Sequence, residues 1–133
     1  MQPLEFIVVG TPVSHQSKNA KRRAAWRGHV STVATTAVNG VQPTADQVEV
    51  RITYFYDGTA PDVDNIVKLI LDGMRNVVYI DDEQVVNVQS RKRNLDANFR
   101  VRDMTVPLAE GFLAKEDFVH IRVVEPGDLA ELP

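Results

Sequence analysis

The sequence predicts an α+β domain in which a small sheet packs with two main helices. Three observations point that way. Val48, Val50, Ile52, Tyr54 and Tyr56 alternate with Glu49, Arg51, Thr53 and Phe55, the period of a strand with one buried face. Phe118, His120 and Arg122 alternate with Val119, Ile121 and Val123 in the same way. Trp26, Val30, Val33 and Ala37 recur at spacings of four, three and four, an apolar helical stripe that places Trp26 in the core.

Each element has its own signal. Leu4–Val9 is a short β-branched and aromatic run ended by Gly10-Thr11-Pro12, and it reads as a strand. Residues 17 to about 39 are alanine-rich with Gly28 as the one internal breaker, a helix closed by Gly40 as its C-terminal cap. The alternating strand 48–56 follows, then a loop from Asp57 to Pro61 with a glycine and a proline. A second helix is predicted from about Asp64 to Arg75, with short extended segments at 77–80 and 85–90. The last strand covers 118–123. Residues 95–116 carry mixed signals: Phe99 and Val101 suit a strand, and "PLAEGFLAKED" suits a loop or a short helix. Residues 126–133, "EPGDLAELP" from Glu125 on, are expected to be mobile.

The chain has 133 residues, the size of one domain spanning 1–133, and 44% of them are hydrophobic, enough for an ordinary core. It has no cysteine, which excludes disulfides, thiolate zinc sites and a cysteine nucleophile and fits a reducing, cytoplasmic setting. The N-terminus has no signal-peptide pattern, and no apolar run approaches the roughly 20 residues that span a bilayer.

The net charge of −3 is unevenly spread. Between Asp57 and Glu83 stand seven acids, with only Lys68 and Arg75 against them, so the rest of the chain is slightly basic. A mildly acidic total is compatible with a nucleic-acid partner when the acids gather where they bind metal. The acidic stretch is "PDVDNIVKLILDGMRNVVYIDDEQVV", Pro61 to Val86. Its helix of roughly 12 residues is about 18 Å long. Asn76 tolerates left-handed backbone angles and can reverse the chain there. Six extended residues from Val77 to Asp82 span about 20 Å. The return then brings Asp81 and Asp82 back beside Asp62 and Asp64.

Converging carboxylates repel, and a hard divalent cation relieves that repulsion. Lys68, four residues after Asp64, shares its helix face, where it can either offset the carboxylates before metal binds or meet a phosphate oxygen. Carboxylates, a cation and a lysine together suit phosphodiester hydrolysis. A plainer role fits the same residues: Asp62 and Asp64 as helix-start acids, Lys68 and Asp72 as a surface pair, Asp81 and Asp82 as an acidic turn. An EF-hand is excluded by Ile66 and Val67 at positions that need an oxygen ligand and a glycine; no P-loop or HExxH is present.

The stretch resembles the signature of the RusA-type Holliday junction resolvases, a D-x-D-N-x-x-K helix followed by D-D-x-Q-V. Asp62, Asp64, Asn65, Lys68, Asp72, Asp81, Asp82, Gln84 and Val85 match it one by one. The match covers about a fifth of the chain directly. The resemblance implies a small mixed α/β fold, a homodimer, and Mg²⁺- or Mn²⁺-dependent nicking of four-way DNA junctions. Carried over, Asp62, Asp64 and Asp82 bind the metal, Asp81 assists, and Lys68 is the catalytic lysine. Asn76 stands where many members have glycine, and residues 95–116 do not align with the family pattern.

Lys18, Lys21, Arg22 and Arg23 lie near the start of the first helix, with Arg27 beyond them. Cations are unfavourable at that end of a helix dipole, so a phosphate partner explains them better than helix stability does. Arg91, Lys92 and Arg93 form a second basic cluster. Both are expected to bind DNA, although a solvated charged face has the same composition. His15, His29 and His120 have no metal-ligand spacing. The expected function is resolution of four-way junctions, with no organic cofactor and no membrane partner. The rival readings are a metal-dependent nuclease for other branched DNA or RNA, and a junction-binding module without catalysis.

Overall fold

The computed structural model describes residues 1–132. Its elements in chain order are β1 (Leu4–Val9), α1 (Ala20–Val38), β2 (Val48–Tyr56), α2 (Val67–Met74), a 3₁₀ turn (Asp82–Gln84), β3 (Val85–Asn94), α3 (Val106–Leu113) and β4 (Phe118–Val124). The sheet order is β1-β4-β2-β3. β4 runs antiparallel to both β1 and β2, whereas β3 runs parallel to β2. A parallel neighbour needs a crossover connection, and α2 supplies it. The sheet is therefore mixed, as expected.

The strand period divides the sheet into two faces. Val48, Val50, Ile52 and Tyr54 of β2, with Phe6 and Val8 of β1 and Val119, Ile121 and Val123 of β4, form the main core with Trp26, Val30 and Ala34 of α1 and Leu69, Ile70 and Met74 of α2. The two helices approach closely at Gly73, where a Cβ would lie 2.9 Å from the Arg27 carbonyl and from Val30. A second cluster of Phe55, Leu108 and Phe118 occupies the opposite face, under α3. Phe55 and Phe118 stack with ring centroids 4.8 Å apart, and Phe112 meets both edge-on.

α3 is a third helix where the sequence left loop and helix open. Thr105 caps it by accepting from the Leu108 N–H, and the Thr105 hydroxyl donates to Glu5 on β1. Gly111 lets the helix lie directly on the Phe118 ring. Phe99 and Val101 form no strand; they pack against this cluster from a loop.

Other boundaries shift for local reasons. α1 starts at Ala20, because Asn19 caps it by accepting from the Arg22 N–H at 3.1 Å. Its left-handed terminal residue is Asn39 (φ 49°), and Gly40 (φ 84°) follows. α2 starts at Val67 and not Asp64. Residues 77–80 are not extended: the Val77 and Val78 N–H groups turn back onto the Met74 carbonyl. Asn76 does reverse the chain, at φ 64°. The mobility expected for residues 126–133 reaches Pro133, which lies outside the described residues. Among the described residues, no helix is long and apolar enough to cross a membrane.

Candidate active site

The acidic stretch is folded as two turns joined by α2. In the first, residues 63–66, the Asn65 N–H donates to the Asp62 carbonyl at 3.1 Å and the Val67 N–H to the Asp64 carbonyl at 3.4 Å. The turn is stapled from two sides. The Ser90 hydroxyl of β3 donates to the Val63 carbonyl at 2.6 Å. The His15 backbone N–H donates to the Asn65 carbonyl at 3.0 Å, and its ring Nδ1 lies 3.1 Å from the same oxygen. Ile66 is fully buried and anchors the turn, leaving Asp62 and Asp64 exposed.

The loop that leads into this turn is held by Asp117. Its carboxylate accepts from the Asp57 N–H at 2.9 Å, the Tyr54 hydroxyl at 2.6 Å and the Thr11 hydroxyl at 3.2 Å. Burial, and then the Asp117 carboxylate, push the Tyr54 phenol well up, so it stays a donor.

α2 presents Lys68 to solvent. Its Nζ lies 3.6 Å from Asp72, and the lysine side chain is 62% exposed, so the pair is loose. Beyond the reversal, the buried Tyr79 hydroxyl donates to the Leu71 carbonyl at 2.6 Å. Burial pushes this phenol up, and Asp82 and Asp72 add to the shift. The charges of Asp82 and Asp72 thus both reach the Tyr79 hydroxyl.

The second turn is built by Gln84. Its Oε1 accepts from the Ile80 and Asp81 N–H groups, both at 2.9 Å. Its Nε2 donates to the Thr44 carbonyl at 2.7 Å and the Asp46 carbonyl at 2.8 Å. The Gln84 N–H in turn donates to the Asp81 backbone carbonyl at 3.1 Å. A hydrogen bond shared with Asp82, then one from the Glu83 backbone, holds the Asp81 carboxyl below its usual range.

Among the described residues, no three carboxylate or imidazole groups gather round one point. The convergence of three or four carboxylates expected from chain lengths is thus not reached as the side chains stand. The shorter α2 and the tight 76–79 turn set a different return path from the extended one assumed. The donors present are carboxylate oxygens on two turns, exposed at Asp62 and Asp64 and half-buried at Asp81 and Asp82. That set fits a hard cation held by one or two carboxylates with water and substrate oxygens completing its shell.

The basic start of α1 is tied to this site through the His15–Asn65 contacts. Lys18 lies just before the helix; Lys18, Lys21, Arg22 and Arg27 are exposed, and Arg23 folds back to donate to the Ser17 carbonyl. Trp26 is 5% exposed, a core residue. The β3 cluster is split by the strand period. Ser90 and Lys92 pair with Ile52 and Tyr54, on the face that carries the acidic turn. Arg91 and Arg93 pair with Thr53 and Phe55, on the opposite face.

The positioning residues His15, Tyr79, Ser90 and Asp117 escaped the sequence reading. His15, Ser90 and Asp117 act through contacts distant in sequence, Tyr79 through a bond back to Leu71 across the chain reversal, and no spacing signals any of them. Gln84 had a signal, its place in the D-D-x-Q-V motif.

A family model described as Endodeoxyribonuclease RusA matches residues 10–102. No curated protein matches the chain. The matched span holds α1, β2, both acidic turns, α2 and β3, which is most of the chain, and Asp62, Asp64, Lys68, Asp81 and Asp82 with it. A basic helix start stapled to an acidic turn, within that span, agrees with the motif of Asp62, Asp64, Lys68 and Asp82, and the chain belongs to the RusA endodeoxyribonuclease family.

Proposed function

We propose that the protein resolves four-way (Holliday) DNA junctions by paired phosphodiester hydrolysis, as a Mg²⁺-dependent homodimer in which Mn²⁺ can substitute. The observation that carries this reading is the anchoring of the first acidic turn to the segment before α1 and to β3, through the His15 and Ser90 hydrogen bonds, at the start of the helix that carries Lys68. Asp62, Asp64 and Asp82 would hold the cation, with Asp81 beside them. A bound cation lowers the pKa of a coordinated water and offsets charge on the phosphate oxygens.

The chain's own groups do the rest. Lys68 leaves its loose contact with Asp72 and stabilises the charge that grows on the phosphate. Lys18, Lys21, Arg22, Arg23 and Arg27 bind the backbone of the DNA arm, and Lys92 extends that contact from β3. Two cuts related by two-fold symmetry call for two related sites, the physical motive for a dimer. β3 is an edge strand with Val86 and Val88 exposed, which supports a contact between copies. The proposed setting is cytoplasmic, with branched DNA as the partner and no membrane.

The test is cleavage of a mobile four-way junction in Mg²⁺ and in EDTA, beside a linear duplex of the same sequence. Paired symmetric nicks in the junction alone, with Mg²⁺ alone, are the expected result. Binding without a cut in either Mg²⁺ or Mn²⁺ would sink the nuclease reading in favour of a binding module.

A further inference from the structure

The sheet face opposite the acidic turns carries a feature that this nuclease site does not use. Arg51 of β2 lies opposite Arg122 of β4, and Thr53 and Phe55 lie opposite Arg91 and Arg93 of β3. α3 covers only part of this face. The remainder is a cleft of about 440 Å³ lined by Arg51, Arg91, Arg93, Arg100, Arg102 and Arg122, with Asp103 the one acid in its lining. That volume is within the usual range for small-ligand sites.

Six guanidinium groups round one cleft repel one another unless anions intervene. The fold supplies little relief. Among the described residues, Arg51 alone of the six has a carboxylate partner, Glu49 at 2.7 Å. Arg91 donates to the Thr53 hydroxyl at 3.2 Å and Arg93 to the Lys92 carbonyl at 2.9 Å, both neutral acceptors. The Nε of Arg122 is buried with no partner at all. A buried guanidinium donor left unpaired is costly, and its presence marks a missing acceptor. Burial, then the charges of Arg93 and Arg51, pull Arg91 below the usual guanidinium range, a further sign of positive potential.

We infer that this cleft is a phosphate-binding site, separate from the acidic turns and on the other face of the sheet. A phosphoryl group offers several charged oxygens at once, which suits several planar guanidinium forks better than a single carboxylate does. The phosphate can come from a nucleic-acid strand lying on this face or from a free polyphosphate. The inference does not rest on the nuclease reading: it uses neither the acidic turns nor their cation, and it draws on Arg91 and Arg93, two of the basic residues expected from the sequence to contact DNA, only for their place on the opposite face.

The experiment uses the full chain without divalent metal. Inorganic pyrophosphate and a labelled single-stranded oligothymidylate are each titrated, by calorimetry and by anisotropy, against the parent, R91Q/R93Q, R122Q and the surface control K115Q. R91Q/R93Q alters exposed side chains, so it keeps the inference testable if R122Q fails to fold. Saturable pyrophosphate binding is expected, weakened on the order of tenfold or more in R91Q/R93Q and unchanged in K115Q. Competition of pyrophosphate with the oligonucleotide, both lost in R91Q/R93Q, identifies a nucleic-acid backbone as the source. Pyrophosphate binding lost in R91Q/R93Q while oligonucleotide binding persists identifies a free polyphosphate. No saturable pyrophosphate binding, or binding that survives R91Q/R93Q, overturns the inference whether or not junctions are cut.

Discussion

Replacing Gln84 with Met tests the way the second acidic turn is held. The side chains are close in length, so the change removes hydrogen bonds with little change in volume. Four bonds go: from the Ile80 and Asp81 N–H groups, and to the Thr44 and Asp46 carbonyls. The bonds to Ile80 and Asp46 are exposed, and water replaces them at small cost. Those to Asp81 and Thr44 are sheltered and worth about 1 kcal/mol each, so the expected loss is about 2–3 kcal/mol. At roughly 4 °C per kcal/mol for a domain of this size, Tm falls by about 8–12 °C. The Asp81–Asp82 turn then loosens where it meets α2, and misplacing a catalytic group by an ångström can cost on the order of 10² in rate. Thermal unfolding followed by circular dichroism measures the first effect, and junction cleavage below the new Tm measures the second. A variant within about 2 °C of the parent that cleaves at the parental rate would refute the clamp.

Three further outcomes are expected. Asp82→Asn abolishes cleavage while junction binding persists, read by gel shift and by nicking; loss of the fold would make Asp82 structural instead. Arg22→Ala weakens junction binding and lowers the salt slope of log K by about 1, and an unchanged slope removes α1 from the DNA site. Glu5 governs part of the acid sensitivity. Burial raises its carboxyl, but hydrogen bonds from Thr105 and His120 and the charge of Arg122 outweigh that and leave it below its ordinary 4.5. A depressed carboxyl contributes stability that is present above its ordinary value and lost as pH falls through the folded one. Urea midpoints should therefore fall more steeply below about pH 4.5 in the parent than in Glu5→Gln, and parallel curves would exclude Glu5.

Local periodicity determined much of the fold. β1 and β2 begin and end where their sequence patterns do, and β4 runs one residue further, because each strand buries one face and alternation records that burial. The acidic motif was legible for a similar reason: its residues lie within one stretch, with the reversal at Asn76 between the two acidic groups. Tertiary structure decided the rest. β3 continues to Asn94 through "SRKRN", a polar edge strand with no buried face to impose a period, and its pairing with β2 alone defines it. α3 forms where Leu108 and Phe112 meet Phe55 and Phe118, partners distant in the chain. The same holds at the site. His15 and Ser90 set the first acidic turn, and Asp117 sets the loop before it, from three separate parts of the chain. The period of two sent Arg91 and Arg93 to one face and Lys92 to the other, dividing a basic cluster that is continuous in sequence. A sequence pattern records which faces are buried; which surfaces meet depends on contacts between residues far apart in the chain, and these exist only once the sheet has formed.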